Sequence, residues 1–186
     1  MAESSLRGHF LLASQSLNDP NFSRSVVYLF DHSADGAAGV VINRPSKLTI
    51  EELSAKIYGS KIEWDKLIHV GGPVGGPLIM IHQISDMADE PITEDIFRTV
   101  DPDKLREMLQ EQVEPSILIA NYAGWGPLQL EAEISEGSWE IMPGSPAFVF
   151  WTGIKDLWDV LIGELQASQI ADMLKIQKSN IDPKLN

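Results

Sequence analysis

Two apolar runs near the N-terminus set the pattern. Residues 25–30 (SVVYLF) and 38–43 (AGVVIN) are rich in β-branched side chains and nearly continuous in apolar character. That predicts strands covered on both faces, joined as a hairpin through a longer-than-minimal loop containing Asp35 and Gly36. Residues 9–13 read as a shorter strand, and Asn18, Asp19 and Pro20 mark a turn between the two. Thr49 followed by Glu52 has the form of a capping box, with Ile50, Leu53 and Ile57 on one face of a helix that stops at Gly59. Residues 67–70 and 78–82 predict short strands around the glycine-rich segment 71–77 (GGPVGGP). Asp101-Pro102 caps a helix carrying Leu105, Met108, Leu109 and Val113, and Pro115 ends it.

Further along, residues 116–121 (SILIAN) predict a strand running into the aromatic stretch Tyr122 to Pro127. Residues 128–134 fit a strand or a helix, and Pro127 with the acids of a first turn favours helix. Strands are predicted at 139–142 and 147–151, a long amphipathic helix from Ile154 to Leu165, and a second short helix from Gln169 to Leu174. Strands come in neighbouring groups interrupted by single helices, without strict alternation. The fold class is therefore α+β with a mixed sheet, one domain over residues 1–186 with a polar tail from about residue 178.

Composition narrows this. A 44% hydrophobic content with five Trp residues is globular, and the absence of cysteine excludes disulfides, thiolate metal sites and a thiol nucleophile. No run approaches the ~20 apolar residues needed to span a bilayer, and residues 1–8 lack a signal-peptide core, so a soluble cytoplasmic protein is expected. The net charge of -13 is regional. Residues 86–140 hold 14 acids against Arg98, Lys104 and Arg106, a net of -11, while residues 1–50 balance at four acids and four bases. With no basic cluster to neutralise phosphates, direct nucleic-acid binding is disfavoured.

Motif chemistry is sparse. Asp31, Ser33, Asp35 and Gly36 open like a calcium loop, but its twelfth position is Ile42, where a bidentate Glu is required. The Gly71 to Pro77 loop leads into a strand and holds no Lys, so it lacks the parts of a phosphate loop. The four histidines have no metal-ligand spacing, and no serine stands in a nucleophile motif. No metal or cofactor is called for. Arg24, set between two β segments, is expected to pair with Asp19, its nearest acid.

The order of several motifs resembles the YqgE/AlgH family of bacterial proteins. They are Ser16-Leu17 with Asp19 and Phe22; the run from Arg24 to Tyr28; His32 with Gly36; the run from Gly39 through Asn43, Arg44 and Pro45; Gly71-Gly72-Pro73-Val74 followed by His82; and Tyr122, Gly124, Trp125 and Gly126 with Gln129, Leu130 and Glu131. The likeness extends to about Trp151. It implies an α+β domain with a branched or bifurcated mixed sheet surrounded by helices, in the bacterial cytoplasm, under a transcriptional-regulator label linked to exopolysaccharide control, with no catalytic residues to carry over. The chain departs from the pattern at Gly75-Gly76-Pro77, where the family commonly has a charged pair, and at Asn121 and Leu128, where small residues, Gly at the first, are common. The resulting expectation is a non-enzymatic regulatory or ligand-binding protein with a small-molecule or protein partner. Its candidate groove gathers Arg24, His32, Asn43, Arg44, Gly71, Gly72, His82, Tyr122, Trp125, Gln129 and Glu131. The alternatives are an enzyme, such as a hydrolase with His32 or His82 as general base near Glu131, and a direct DNA binder.

Overall fold

The computed structural model describes residues 5–179. Its strands run in the order β10-β1-β2-β3-β9-β6-β8-β7, and β5 joins β9 from the side while also pairing with β4. In chain order these are β1 His9–Ala13, β2 Val26–Ser33, β3 Gly36–Val41, β4 Pro45–Thr49, β5 Leu67–Val70, β6 Val74–His82, β7 Glu90–Pro91, β8 Phe97–Thr99, β9 Ser116–Trp125 and β10 Trp139–Pro143. The helices are α1 Ile50–Tyr58, α2 Pro102–Gln110, α3 Gln129–Ser135, α4 Pro146–Val149 and α5 Leu157–Ser179. The β5–β9 pair is parallel and the other pairs are antiparallel, so the sheet is mixed.

The ten-residue β9 produces the branching. β6 pairs with it from Ser116 to Tyr122, β5 pairs with Ile119 and Ala120, and β3 pairs with Ala123 to Trp125. Between the β5 and β3 pairings Asn121 adopts φ 67, a left-handed conformation that turns the strand from one of these partners to the other. Gly71 bridges the fork: its N–H donates to the Ala120 carbonyl at 2.8 Å and its carbonyl accepts from Val41 N–H at 2.8 Å. A Cβ at Gly71 would lie 2.4 Å from Asn121 O, and one at Gly72 would lie 2.3 Å from Tyr122 O. Backbone-to-backbone approach this close admits only glycine.

Three apolar clusters fill the layers. Alternating residues of β1 and β2 split between two faces, Phe10, Leu12, Val26 and Tyr28 packing under α5 and Leu11, Ala13, Val27 and Leu29 packing under α3. This two-sided burial explains the continuous apolar runs. The third cluster lies on the β5–β6 limb, where Ile68, Met80 and Leu118 meet Ile50 of α1 and Leu105, Met108 and Leu109 of α2.

Several expectations are corrected. Residues 147–151 form no strand: Pro146, at the first helical position, starts the short helix α4. The helices read separately at 154–165 and 169–174 are one helix, because nothing between them stops it. The β2–β3 turn spans only Ala34 and Asp35, since both strands extend further than their apolar cores. Strands β4, β7 and β8 are short and polar, and carry no hydrophobic signature. The polar tail falls largely outside the described residues. Both Thr49–Glu52 capping bonds form, at 3.1 and 3.2 Å, and Asp101 caps α2.

The departures at Asn121 and Leu128 coincide with left-handed backbone, φ 67 and φ 60. Leu128 is 71% exposed, so its side chain gains little from burial while its backbone is strained. Leu128→Gly is expected to stabilise the fold by about 1 kcal/mol, and Gly72→Ala to destabilise it by about 3 kcal/mol or more. Urea unfolding midpoints of the two variants check both signs.

Candidate functional site

The eleven residues singled out in the sequence divide into separate clusters instead of surrounding one groove. Trp125 and Gln129 line a concave cleft of about 480 Å³ with Leu17, Asp19, Phe22, Pro73, Glu133 and Trp139. At its centre is Glu133. One carboxylate oxygen accepts both indole N–H groups, Trp125 Nε1 at 2.9 Å and Trp139 Nε1 at 2.8 Å, and the other accepts Gln129 Nε2 at 3.0 Å. Gln129 Oε1 in turn accepts Gly126 N–H at 3.0 Å. The half-buried Phe22 closes the aromatic set, edge-on to Trp139 with centroids 5.4 Å apart and 6.2 Å from Trp125. Helical spacing accounts for the Gln129–Glu133 contact, since residues four apart share a face.

Arg24, Asn43 and Arg44 serve the loop that forms the cleft's other lip. Asn43 Oδ1 accepts Val26 N–H and its Nδ2 donates to the Arg24 carbonyl, both at 2.9 Å, holding Arg24 in left-handed backbone at φ 55. The Arg24 guanidinium sits 4.4 Å over the Trp158 ring and pairs with Asp159, on α5, in place of the expected Asp19. Arg44 donates to the carbonyls of Asn21 and Ser23. Burial lowers its pKa, and Asp19 opposes the effect. Gly71 and Gly72 work at the fork through their backbone, and Tyr122 packs on the α5 side of the sheet, opposite Trp125.

His32 and Glu131 do meet, at 2.9 Å. A bulge between Leu29 and Asp31 resets the alternation of β2, so His32 stands with Ala37 under α3. Its Nδ1 accepts Leu6 N–H at 3.0 Å, which puts the proton on Nε2, donating to Glu131. Neither ring nitrogen is left to take a proton from a substrate. His82 is fully buried and far from Glu131 in the topology, on the β6–β8 edge. Its Nδ1 accepts Ile84 N–H, and Thr99 gives its proton to the Met87 carbonyl, so His82 Nε2 must donate to Thr99 Oγ1 at 2.8 Å. Among the described residues no three His, Asp or Glu side chains gather as a metal site. Sequence reasoning passed over Glu133 and Trp139 as site residues, although the four-residue offset from Gln129 was a usable signal for the first.

Two outcomes are expected. Burial pushes the His82 pKa down from 6.5 to about 4. Below pH 6.5 the unfolded chain takes a proton that the folded chain refuses, so stability falls as pH drops and the loss is complete near pH 4. That loss amounts to about 3 kcal/mol at most. The difference in urea midpoint between the unmodified chain and His82→Asn, followed from pH 7 to 4, should narrow accordingly. Glu133→Ala, which strands two buried indole N–H groups, should cost about 3 kcal/mol, and Glu133→Gln clearly less because its amide oxygen still accepts. Unfolding followed by Trp fluorescence measures both.

A family model described as AlgH-like (DUF179) matches residues 10–169. A UPF0301 protein of Pseudoalteromonas translucida is 34% identical over 172 residues, covering 87% of this chain and 91% of that protein. One from Thermobifida fusca is 31% identical and covers 98% of this chain and 96% of that one. The solution structure of the AlgH protein from Pseudomonas aeruginosa superposes with a TM-score of 0.68 at 32% identity, over 81% of this chain and 84% of that one. A crystal structure from Corynebacterium diphtheriae, at 23% identity, shares the fold with a TM-score of 0.68 over 86% and 87% of the two chains. No helix among the described residues is long and apolar enough to cross a membrane. With its branched sheet, its glycine fork and a match over most of its length, the chain belongs to the AlgH-like, UPF0301 family.

Proposed function

We propose that this is a cytoplasmic protein that works by recognition and not by catalysis, with the Phe22–Trp125–Gln129 cleft as the surface that takes a protein segment or a small molecule. The observation that supports this reading best is the Glu133 hub. It fixes two indoles and an amide in place before any partner arrives, and pre-organised polar groups beside aromatic walls reduce the entropy cost of binding. The catalytic alternative fares worse, since His32 and His82 spend both ring nitrogens inside the fold. Regulation, in this reading, is indirect: a net of -11 over residues 86–140 opposes contact with phosphates.

A thermal-shift screen against nucleotides, metabolites and short peptides is the test, because a ligand selective for the folded state raises its stability by mass action. The expected result is a hit whose stabilisation disappears in Phe22→Ala and Gln129→Ala while both variants stay folded. Sequence-specific DNA binding by the unmodified protein, or ester or phosphate hydrolysis lost in His32→Asn, would overturn the reading.

A further inference from the structure

A second concavity, sharing no residue with the Trp125 cleft, opens between β5, the start of β9 and the segment that follows α4. Its volume is about 430 Å³ and its walls are largely apolar, built from Ile42, Ile117, Val149, Phe150, Ile154 and Leu157. His69 stands among them, 4% exposed.

The protonation of His69 follows from its one hydrogen bond. Nδ1 lies 2.7 Å from the Ile42 carbonyl, and a carbonyl only accepts, so Nδ1 carries the proton. Burial, and Lys66 nearby, keep the ring neutral, which leaves a lone pair on Nε2. Among the described residues nothing donates to that nitrogen. An acceptor that opens onto a mostly apolar pocket gains a partner when a ligand brings a donor.

The charged groups at the mouth are already engaged. Lys66 Nζ donates to both Glu114 oxygens, at 2.8 and 2.7 Å, and to the Ser116 carbonyl. Among the residues lining the pocket no other cation stands ready to meet a carboxylate or phosphate. What the pocket offers is aromatic and aliphatic wall, with Phe150 and Trp151 at one side, the exposed Thr152 hydroxyl at its edge, and the His69 acceptor within the apolar wall.

We infer that this pocket binds a small, neutral aromatic molecule carrying one hydrogen-bond donor, of the phenol or indole kind, with its O–H or N–H donating to His69 Nε2. A ligand without the donor leaves the acceptor desolvated and unpaired, so the site discriminates by that one group.

Fluorine NMR titrations with 4-fluorophenol and 4-fluoroanisole test it, the second probe having the same ring but no donor. The unmodified protein should bind the phenol about tenfold more tightly than the ether. His69→Asn keeps an N–H for the Ile42 carbonyl and removes the Nε2 acceptor, so the two probes should then bind alike. Ile154→Trp, which fills the half-buried edge of the pocket, should lose both, and it serves as the check if His69→Asn does not fold. Gln129→Ala, in the other cleft, should change neither. Equal binding of the two probes to the unmodified protein, a preference that survives His69→Asn, or no binding of either at millimolar concentration overturns the inference. Tighter binding of 4-fluorobenzoate than of the phenol would also overturn it, since Lys66 would then be available to anions.

Discussion

The fold rests on a single strand that has to belong to two sheets. β9 carries β6 from Ser116 to Tyr122, pairs with β5 at Ile119 and Ala120 and with β3 from Ala123 to Trp125, and the exchange of β5 for β3 is made across Asn121. A strand bent this way brings three backbones together at the fork, which leaves no room for side chains. Gly71 therefore serves as a spacer of minimal size, hydrogen-bonded to β3 on one side and to β9 on the other. The rest of the architecture follows from the fork. One limb holds β1, β2, β3 and β10 with helices on both faces, and the other holds β4 to β8 with α1 and α2. The far end of β9 delivers Trp125 to the base of α3, which makes the aromatic cleft a direct product of the same bend.

The acidic stretch changes meaning in three dimensions. Of the acids between residues 86 and 140, Asp101 caps α2, Glu114 holds Lys66, Glu90 pairs with Arg98, Glu131 meets His32 and Glu133 ties two indoles. Burial works against ionisation of Asp89, but Lys104 and the N–H groups of Val100 and Asp101 outweigh it and bring its pKa to about 2. These carboxylates act as acceptors for backbone and indole donors, where charge is an advantage because charge-assisted bonds are the stronger ones. Glu94, Asp95, Glu107, Glu111, Glu136 and Glu140 are exposed and supply the repulsive field. One compositional feature thus has two physical sources.

Legibility in the sequence followed the strength of local signals. The capping box at Thr49, the proline-started α2, the paired runs of β2 and β3 and the flanks of the glycine segment each combine periodicity with a specific stop or start residue, and each was readable. β7 and β8 were not, because strands of two and three residues are made by their pairing, β8 with β6 and β7 with β8, and leave no period of their own. The run at residues 147–151 misled because an apolar pentapeptide fits strand and helix alike, and Pro146 decided between them. Among the site residues, the resemblance located Trp125 and Gln129 but grouped them with Gly71, Asn43 and His82, whose roles are to shape the fork, brace a loop and fill an edge. A family motif marks what the fold cannot vary. Backbone crowding at a fork imposes that limit as strongly as ligand contact does.

That distinction separates the two concavities. In the Trp125 cleft Glu133 accepts from Trp125, Trp139 and Gln129. What the cleft presents is shape and rigidity, with a rim of Asp19 and Asn21. Around His69 the balance is reversed. Lys66, Glu114 and the Ile42 carbonyl are paired, and one imidazole nitrogen is left over in an apolar wall. A surface whose polar groups are satisfied tolerates many partners of the right shape, because no partner leaves a buried group unpaired. A mostly apolar pocket with an unpaired acceptor favours a molecule that supplies a donor over one that cannot. The two proposed sites would therefore discriminate differently, the His69 pocket by a hydrogen-bond donor and the Trp125 cleft by shape.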